Sequence, residues 1–250
     1  MEREKIITIT NKELIKDLSD DVIKLYPLKF FCCGYSTEFS IDEIDDFVLI
    51  NRILDDSALD KLENILKGSK IKGIIFDDLG ILDIVKDMNI TKILLLDHIS
   101  NNSVSINYYL DYVDSVVVSS DISEKEIEYI VKNVKKKIVL SVFGLKKLMY
   151  SRRKLLTNYA LHEEIDYKDK IKAKINDKEF IIKENEYGTC FYAYPYYNAL
   201  SLKKYSAYYW YDLIDLDNKT ILDILNDKVN IPTSRLFLDK ETIYKLRGDK

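Results

Sequence analysis

The chain has 250 residues, of which 47% are hydrophobic and 32% charged, and its formal net charge is −4. This composition is typical of a globular protein with one large domain or two small ones, and seven Gly and three Pro are too few for a disordered or linker-rich chain. No window approaches 18 uninterrupted apolar residues, and the charged start from Met1 to Lys5 has no apolar signal region. Three Cys form no disulfide framework. We therefore expect a cytoplasmic protein with no membrane span.

Short β-branched runs alternate with amphipathic segments, which indicates repeated βα units. The segment Leu14–Leu25 has helical apolar spacing, and Ser123 with Glu126 forms the pattern of a capping box. The run Val116–Val118 is continuously apolar, as expected for a parallel strand that is covered on both faces. Eight strands are predicted: Ile6–Thr10, Lys29–Gly34, Phe47–Asn51, Gly73–Asp77, Lys92–Asp97, Ser115–Ser119, Ile138–Phe143 and Tyr209–Asp215.

Eight strands in βα alternation predict an α/β fold of the (β/α)8 TIM-barrel type, with residues 1–250 as a single barrel domain. The link between the second and third predicted strands, about 12 residues, is too short for a full crossover helix. We therefore expect an irregular barrel. A doubly wound open sheet is the alternative.

The seventh connection is unusually long, because about 65 residues separate Phe143 from Tyr209. It contains three predicted short strands, Lys170–Asn176, Lys178–Lys183 and Thr189–Tyr194, and Asn176-Asp-Lys resembles a hairpin turn. We predict a β-rich aromatic insertion over residues 165–207, on the face of the barrel where active sites form.

The stretch from Tyr187 to Tyr211 holds nine Tyr, one Phe and one Trp. These aromatic residues could stack on nucleobases, or they could pack the insertion onto the barrel. We favour packing, because aromatic side chains in short strands mostly fill cores.

A basic segment follows the seventh predicted strand. From Lys132 to Leu161 there are nine Lys or Arg and no Asp or Glu, although the protein as a whole is acidic. Such a cationic segment favours a carboxylate, a phosphate or a nucleic acid as its partner. The candidate residues for binding an anion or RNA are Lys146, Lys147, Arg152, Arg153, Lys154 and Asn158.

Arg152 is the most distinctive of these residues. If Leu145–Tyr159 is helical, Arg152 lies in the centre of an apolar stripe and faces inward. An inward guanidinium needs a carboxylate or a ligand oxyanion as its partner. The hypotheses are an ion pair with Asp77 or Asp97 and direct contact with a ligand.

The candidate catalytic residues lie at predicted strand ends. Asp77, Asp97 and His98 could supply acid–base chemistry or anchor a cation, although strand-end carboxylates also cap helices or pair with Lys and Arg. No nucleophile elbow, zinc motif, phosphate loop or dinucleotide fingerprint is present.

The segment from Val142 to Tyr159, with its Tyr-Ser-Arg-Arg run and its Leu-Leu-Thr turn, resembles the signature region of the collagenase-like protease family, peptidase family U32. Weaker similarities lie at Phe39–Ile44, Gly73–Ile81, Val117–Ile122 and Phe237–Tyr244. In this order along the chain, these similarities are fairly specific for the family but say little about which activity this member has.

The resemblance implies cysteine thiolates that hold an iron–sulfur cluster in many members, and a role in oxygen-independent hydroxylation of tRNA, ribosomal RNA or a quinone precursor. The two signature cysteine positions correspond to Lys147 and Lys154. Since three cysteines are too few for a four-thiolate site, we expect no iron–sulfur cluster, no other cofactor and no metal.

Three functions follow from the resemblance and the residues. The first is a cluster-less member that binds RNA or a small carboxylate and assists tRNA or rRNA hydroxylation, together with a cluster-bearing paralogue. The second is a genuine peptidase, a hydrolase of peptides or collagen-like substrates, in which Asp77, Asp97 or His98 is essential. The third is a catalytically inactive scaffold whose barrel face is plugged by the aromatic insertion.

Overall fold

The computed structural model describes residues 4–95 and 100–240. The strands in these residues are β1 (Lys5–Thr8), β2 (Val22–Pro27), β3 (Phe47–Ile50), β4 (Gly73–Phe76), β5 (Thr91–Leu95), β6 (Ser115–Val117), β7 (Val139–Gly144), β8 (Lys147–Ser151), β9 (Lys170–Ile175), β10 (Lys178–Asn185), β11 (Gly188–Tyr194), β12 (Tyr196–Asn198), β13 (Tyr208–Asp212) and β14 (Thr233–Ser234).

The α-helices in the described residues are α1 (Leu14–Asp17), α2 (Asp56–Leu66), α3 (Ile81–Val85), α4 (Ser103–Tyr109), α5 (Glu124–Asn133), α6 (Leu155–His162) and α7 (Asn218–Leu225). Short 3₁₀ helices occupy Ile41–Glu43 and Leu200–Lys204. Helix α5 begins with the predicted capping box of Ser123 and Glu126, and helix α2 is capped by the Asp55 carboxylate.

Strands β1 to β7 and β13 form a closed ring in which every neighbouring pair is parallel. Strand β13 closes the ring, because it pairs with β1 on one side and β7 on the other. The predicted (β/α)8 barrel is therefore confirmed and the open-sheet alternative is wrong. The barrel is irregular in its first third, where α1 has four residues and a 3₁₀ helix stands between β2 and β3.

The second strand differs from its prediction. It occupies Val22–Pro27 instead of Lys29–Gly34, and the helix predicted over Leu14–Leu25 ends at Asp17. Lys29–Gly34 is a loop that follows the carboxyl end of β2. It is apolar because Phe31, Cys32 and Cys33 are buried beneath other segments at the top of the barrel, so its hydrophobicity reflects burial of a loop and not a strand.

The insertion contains a four-stranded antiparallel sheet in the order β8-β11-β10-β9, which we call the insertion sheet. Strands β9, β10 and β11 lie where the sequence predicts strands, and Asn176 and Asp177 make the hairpin turn with φ of 49° and 63°. Lys183 of β10 ties the sheet to the barrel through Asp215, at 2.9 Å from Nζ to Oδ1.

The basic segment is not a continuous helix, so the helix predicted over Leu145–Tyr159 is wrong. Lys147–Ser151 is strand β8, paired with β11, and helix α6 begins only at Leu155. The Glu184 carboxylate of β10 accepts hydrogen bonds from the backbone N–H groups of Leu156 (2.7 Å) and Thr157 (3.1 Å). The insertion sheet thus supplies the N-terminal cap that α6 lacks in its own sequence.

Candidate functional site at the barrel mouth

A cavity of about 50 Å³ lies where the carboxyl ends of the ring strands converge, the face on which barrel enzymes build their active sites. This volume holds a few water molecules or a small ligand. We call it the mouth cavity. Its polar lining residues are Tyr35, Asn51, Ser120, Ser141, Lys146, Lys147 and Asp212.

Lys146 lies two residues after the end of β7 and is almost fully enclosed, with 4% of its side chain exposed. Its Nζ lies 3.4 Å from Asp121 Oδ2 and forms no hydrogen bond with any other described residue. An ammonium group has three donors and is costly to bury without acceptors. Lys146 therefore retains hydrogen-bonding capacity toward the mouth cavity.

Lys147 opens strand β8 and brings a second ammonium group to the same cavity. Its Nζ lies 3.6 Å from Asp77 Oδ2, and about a fifth of each side chain is exposed. Asp77, one of the three predicted catalytic residues, is thus next to a predicted anion-binding residue. The other two, Asp97 and His98, lie outside the described residues.

Asp212 ends β13 and lines the mouth cavity. The Tyr35 hydroxyl donates one bifurcated hydrogen bond to the two carboxylate oxygens of Asp212, at 3.2 and 3.1 Å. Burial raises the pKa of Asp212 to about 6, although hydrogen bonds from Thr8 and Tyr35 and the charges of Lys147 and Lys183 oppose this shift. Asp212 can therefore hold or release a proton near neutral pH.

The remaining predicted cations lie on the surface. Arg152 pairs with Asp55 at 2.9 Å between Nη2 and Oδ2, and about half of each side chain is exposed. The prediction that Arg152 faces inward from a helix is wrong, because β8 ends at Ser151 and α6 begins only at Leu155, so Arg152 lies in an exposed bend between them. Arg153, Lys154 and Asn158 are also exposed.

The basic segment therefore divides into two groups. Lys146 and Lys147, the mouth lysine pair, line the mouth cavity. Arg152, Arg153, Lys154 and Asn158, the exposed basic surface, lie beyond β8 and face solvent.

The aromatic residues pack the insertion against the barrel, as favoured from the sequence. Tyr192, Tyr196, Tyr197 and Tyr211 are at most 6% exposed. Tyr192 and Tyr197 also line the mouth cavity, so the insertion covers the barrel mouth.

The cysteines do not fit an iron–sulfur cluster. The Cys32 thiol donates a hydrogen bond to the carbonyl of Leu49 at 3.0 Å, and Cys33 and Cys190 are fully buried as well. Three thiols cannot supply the four thiolates of such a cluster. Over residues 4–95 and 100–240, no group of three or more His, Cys, Asp or Glu side chains could hold a metal ion.

Sequence reasoning missed several residues of this site, notably Asp212, Tyr35 and Tyr192. Asp212 was overlooked because the eighth strand was predicted to run on to Asp215. The available signal was the aromatic run Tyr208–Tyr211, which ends at a carboxylate at the length of a barrel strand. Tyr35 and Tyr192 come from a loop and an insertion, whose positions over the mouth depend on tertiary packing.

The fold and the site together define a TIM-barrel protein whose charged mouth is covered by a β insertion. A family model described as Peptidase family U32 matches residues 42–167, half of the chain. The solved structure of the U32 peptidase Mk0906 is similar in fold, with a TM-score of 0.53 at 10% sequence identity over 87% of this chain and 94% of that chain. No curated protein matches. The chain belongs to peptidase family U32.

Among the described helices, none combines the length and the apolar character that a bilayer span requires.

Proposed function

We propose that this U32 protein binds a small carboxylate in the mouth cavity and RNA on the exposed basic surface, and that it assists hydroxylation of tRNA or rRNA together with a cluster-bearing paralogue. The observation that carries the proposal is the buried ammonium group of Lys146, which lies at the cavity without a hydrogen bond to any other described residue.

The argument for a small carboxylate starts from desolvation. An enclosed ammonium group is stable only with oxygen acceptors, and Asp121 at 3.4 Å supplies charge without a hydrogen bond. A ligand carboxylate would give Lys146 and Lys147 two oxygens at once. The size of the cavity, about 50 Å³, suits a ligand of a few heavy atoms and not a nucleobase or a peptide.

The argument for RNA rests on a different set of side chains. Arg153, Lys154 and Asn158 are exposed within a few residues of one another, on a chain that is otherwise acidic. Exposed Lys and Arg bind phosphates through electrostatic attraction and counterion release. RNA therefore has its contacts outside the mouth, while the small ligand has its contacts inside.

The carboxylate is tested by titration calorimetry with acetate, succinate and phosphate at low ionic strength. We expect millimolar or tighter binding of a carboxylate, and at least about tenfold weaker binding for Lys146→Gln, because a hydrogen bond to a charged group is lost. Lys154→Gln is the matched control and should bind as the native protein does. Failure of every anion to bind, or unchanged affinity in Lys146→Gln, would refute this half of the proposal.

The RNA contact is tested by charge reversal. Arg153→Glu with Lys154→Glu should abolish binding of tRNA or an rRNA fragment, whereas Lys70→Glu with Lys72→Glu, on exposed residues just before β4, should not. Affinity of the native protein should fall between about 50 and 200 mM salt. Loss of hydroxylated nucleosides in a deletion strain would support the assigned role; an unchanged RNA inventory would count against it.

A catalytically inactive scaffold is the second candidate, and a specific observation favours it. Tyr192 and Tyr197 cover the mouth, as expected for a plugged barrel face. The peptidase alternative needs room for a polypeptide, which the mouth cavity does not offer. Cleavage of gelatin by the native protein, abolished in Asp77→Asn, would establish the peptidase over both other functions.

A further inference from the structure

A second cavity lies beside the barrel mouth, and the proposed carboxylate and RNA sites do not use it. Its volume is about 170 Å³, and we call it the side pocket. Thr10 stands two residues beyond β1 and Asp215 three residues beyond β13, so both follow the carboxyl ends of neighbouring ring strands. Among the described residues, only Tyr35 lines both cavities. The side pocket is therefore a separate space on the face where barrel enzymes bind their substrates.

A buried ion pair forms one wall of the side pocket. Lys183 Nζ lies 2.9 Å from Asp215 Oδ1, and Lys170 Nζ lies 3.0 Å from Asp215 Oδ2. Lys183 Nζ also donates to Ser36 Oγ at 3.1 Å, so one of its three donors remains for a ligand. An anionic ligand would be repelled by the Asp215 carboxylate, and a cationic ligand by the Lys183 ammonium group. This wall therefore favours an uncharged ligand.

The other polar lining residues carry hydroxyl groups. Thr10 Oγ1 is buried and has no hydrogen-bond partner among the described residues, which is unfavourable for a polar atom. Ser36 Oγ accepts from Lys183 and can still donate its own proton, and Thr37 also lines the pocket. A hydroxyl both donates and accepts hydrogen bonds. The ligand that best matches this lining is one that itself donates and accepts at several neighbouring positions.

The remaining walls and the size of the pocket narrow the class of ligand further. Ile214 and Leu216 flank Asp215 and supply apolar contacts, and the Tyr35 hydroxyl is already bound to Asp212. A volume of 170 Å³ is the space of about five or six water molecules. It holds one small ring with its substituents and excludes a polypeptide. Hydroxyls beside C–H groups on one small ring are the features of a sugar.

We propose that the side pocket binds a five-carbon sugar, either free or as the sugar of a nucleoside. The sugar hydroxyls accept the remaining Lys183 donor and pair with Thr10 and Thr37, and the sugar C–H groups lie against Ile214 and Leu216. The site uses neither the mouth lysine pair nor the exposed basic surface. It therefore does not depend on the binding of a carboxylate or of RNA there, and each proposal can fail alone.

Saturation-transfer NMR of the full chain tests the ligand class with D-ribose, uridine and phosphate as probes. We expect saturable transfer to the sugar protons of ribose and uridine, and no displacement of either by excess phosphate. Tighter binding of uridine than of ribose assigns the sugar to a nucleoside, and equal or weaker binding of uridine assigns a free sugar. No saturable transfer to either probe, or displacement of ribose by phosphate, would overturn the proposal.

Variants locate the bound sugar. Thr10→Val removes a hydroxyl that has no partner in the described residues, so we expect at least about fivefold weaker sugar binding with no loss of stability in urea unfolding. Thr37→Val, at a partly exposed position, should also weaken binding and serves if Thr10→Val does not fold.

Ser69→Ala is the matched control. Ser69 Oγ is likewise buried without a partner among the described residues, but it precedes β4 and so lies at the opposite end of the ring. This variant should bind ribose as the native protein does. Native sugar affinity in both threonine variants would refute the assignment to the side pocket.

Discussion

The mouth lysine pair and the exposed basic surface come from one short stretch of sequence, yet they lie in different environments. Lys146 has 4% of its side chain exposed and lines the mouth cavity, whereas Arg152, six residues later, has 52% exposed and pairs with a surface carboxylate. Both belong to the same run of positive charges. The sequence of charges therefore does not show whether a positive side chain stabilises or destabilises the fold, because that depends on how deeply the side chain is buried and on its partners.

The difference originates in β8. Strand β8 follows β7 in the chain but is not part of the ring, because it pairs with β11 of the insertion sheet. The chain therefore turns out of the barrel within a few residues of β7. Lys146 and Lys147 remain at the mouth, and Arg153 and Lys154 are carried to the surface.

The largest expected effect is the loss of stability when the charge of a buried lysine is reversed. Lys146→Glu places a carboxylate next to Asp121 in an enclosed site, and we expect the free energy of unfolding to fall by about 3–5 kcal/mol. Urea unfolding measures this change. Lys154→Glu, the same substitution on the exposed basic surface, should leave the midpoint unchanged. Equal urea midpoints for the two variants would show that the mouth lysines and the exposed basic surface do not differ in their effect on stability.

The exposed basic surface leads into helix α6, whose N-terminal cap is supplied by Glu184. Its carboxylate accepts from Leu156 N, Thr157 N and Thr189 Oγ1, so Glu184→Ala leaves buried donors without acceptors and should cost about 2–3 kcal/mol. Glu179→Ala, an exposed glutamate in the same strand, is the control. A loss no greater than that of the control, measured by urea unfolding, would show that α6 does not need this cap.

The same residue gives a pH dependence. Burial tends to raise the pKa of Glu184, but hydrogen bonds from Thr157 and Thr189 outweigh it and hold the pKa below the usual value. Its stabilisation is therefore complete above the unfolded pKa of about 4.3 and is lost as pH falls further. Glu184→Ala should flatten the stability profile below about pH 4.

A smaller effect is expected on ligand binding through Asp212. As pH rises through about 6, Asp212 loses its proton and becomes negative, so it should repel a carboxylate in the mouth cavity. We expect affinity for the small carboxylate to fall by about three- to tenfold between pH 5 and pH 8. Titration calorimetry across this range tests it, and Asp212→Asn should remove the dependence. A flat profile in the native protein would contradict the expectation.

The smallest effect is expected at Arg152. Its ion pair with Asp55 is half exposed, and such pairs contribute little because water and salt screen them. Arg152→Gln should shift Tm by less than about 1 °C in differential scanning calorimetry. A shift of several degrees would mean that the surface pair stabilises the fold as a buried group does.

The barrel could be predicted from the sequence because its strands are continuous apolar runs at regular distances, as in Phe47–Ile50 and Gly73–Phe76. The second strand could not, since Val22 and Leu25 also continue the helical spacing of Leu14 and Leu18, and the neighbouring loop Lys29–Gly34 has as many hydrophobic residues as the strand. An apolar run in the sequence indicates a buried segment and not a particular secondary structure. A loop folded into the barrel mouth is buried as completely as a strand, so the two could not be told apart.

The candidate site was only partly predictable. Asp77, Lys146 and Lys147 follow ring strands closely, and strand order alone brings them to one face. Tyr35 and Tyr192 reach the mouth through contacts between segments far apart in sequence, and these contacts have no local pattern. Residues Lys147–Ser151 were predicted to be helical but form β8, because this strand is stabilised by pairing with β11, about 40 residues further along the chain.

The order of the ring strands has a consequence for synthesis. The ring is closed by β13, which the ribosome makes after the whole insertion. Until Asp212 emerges, the growing chain presents β1 and β7 as two unpaired strand edges, the kind of surface on which nascent chains pair wrongly with one another.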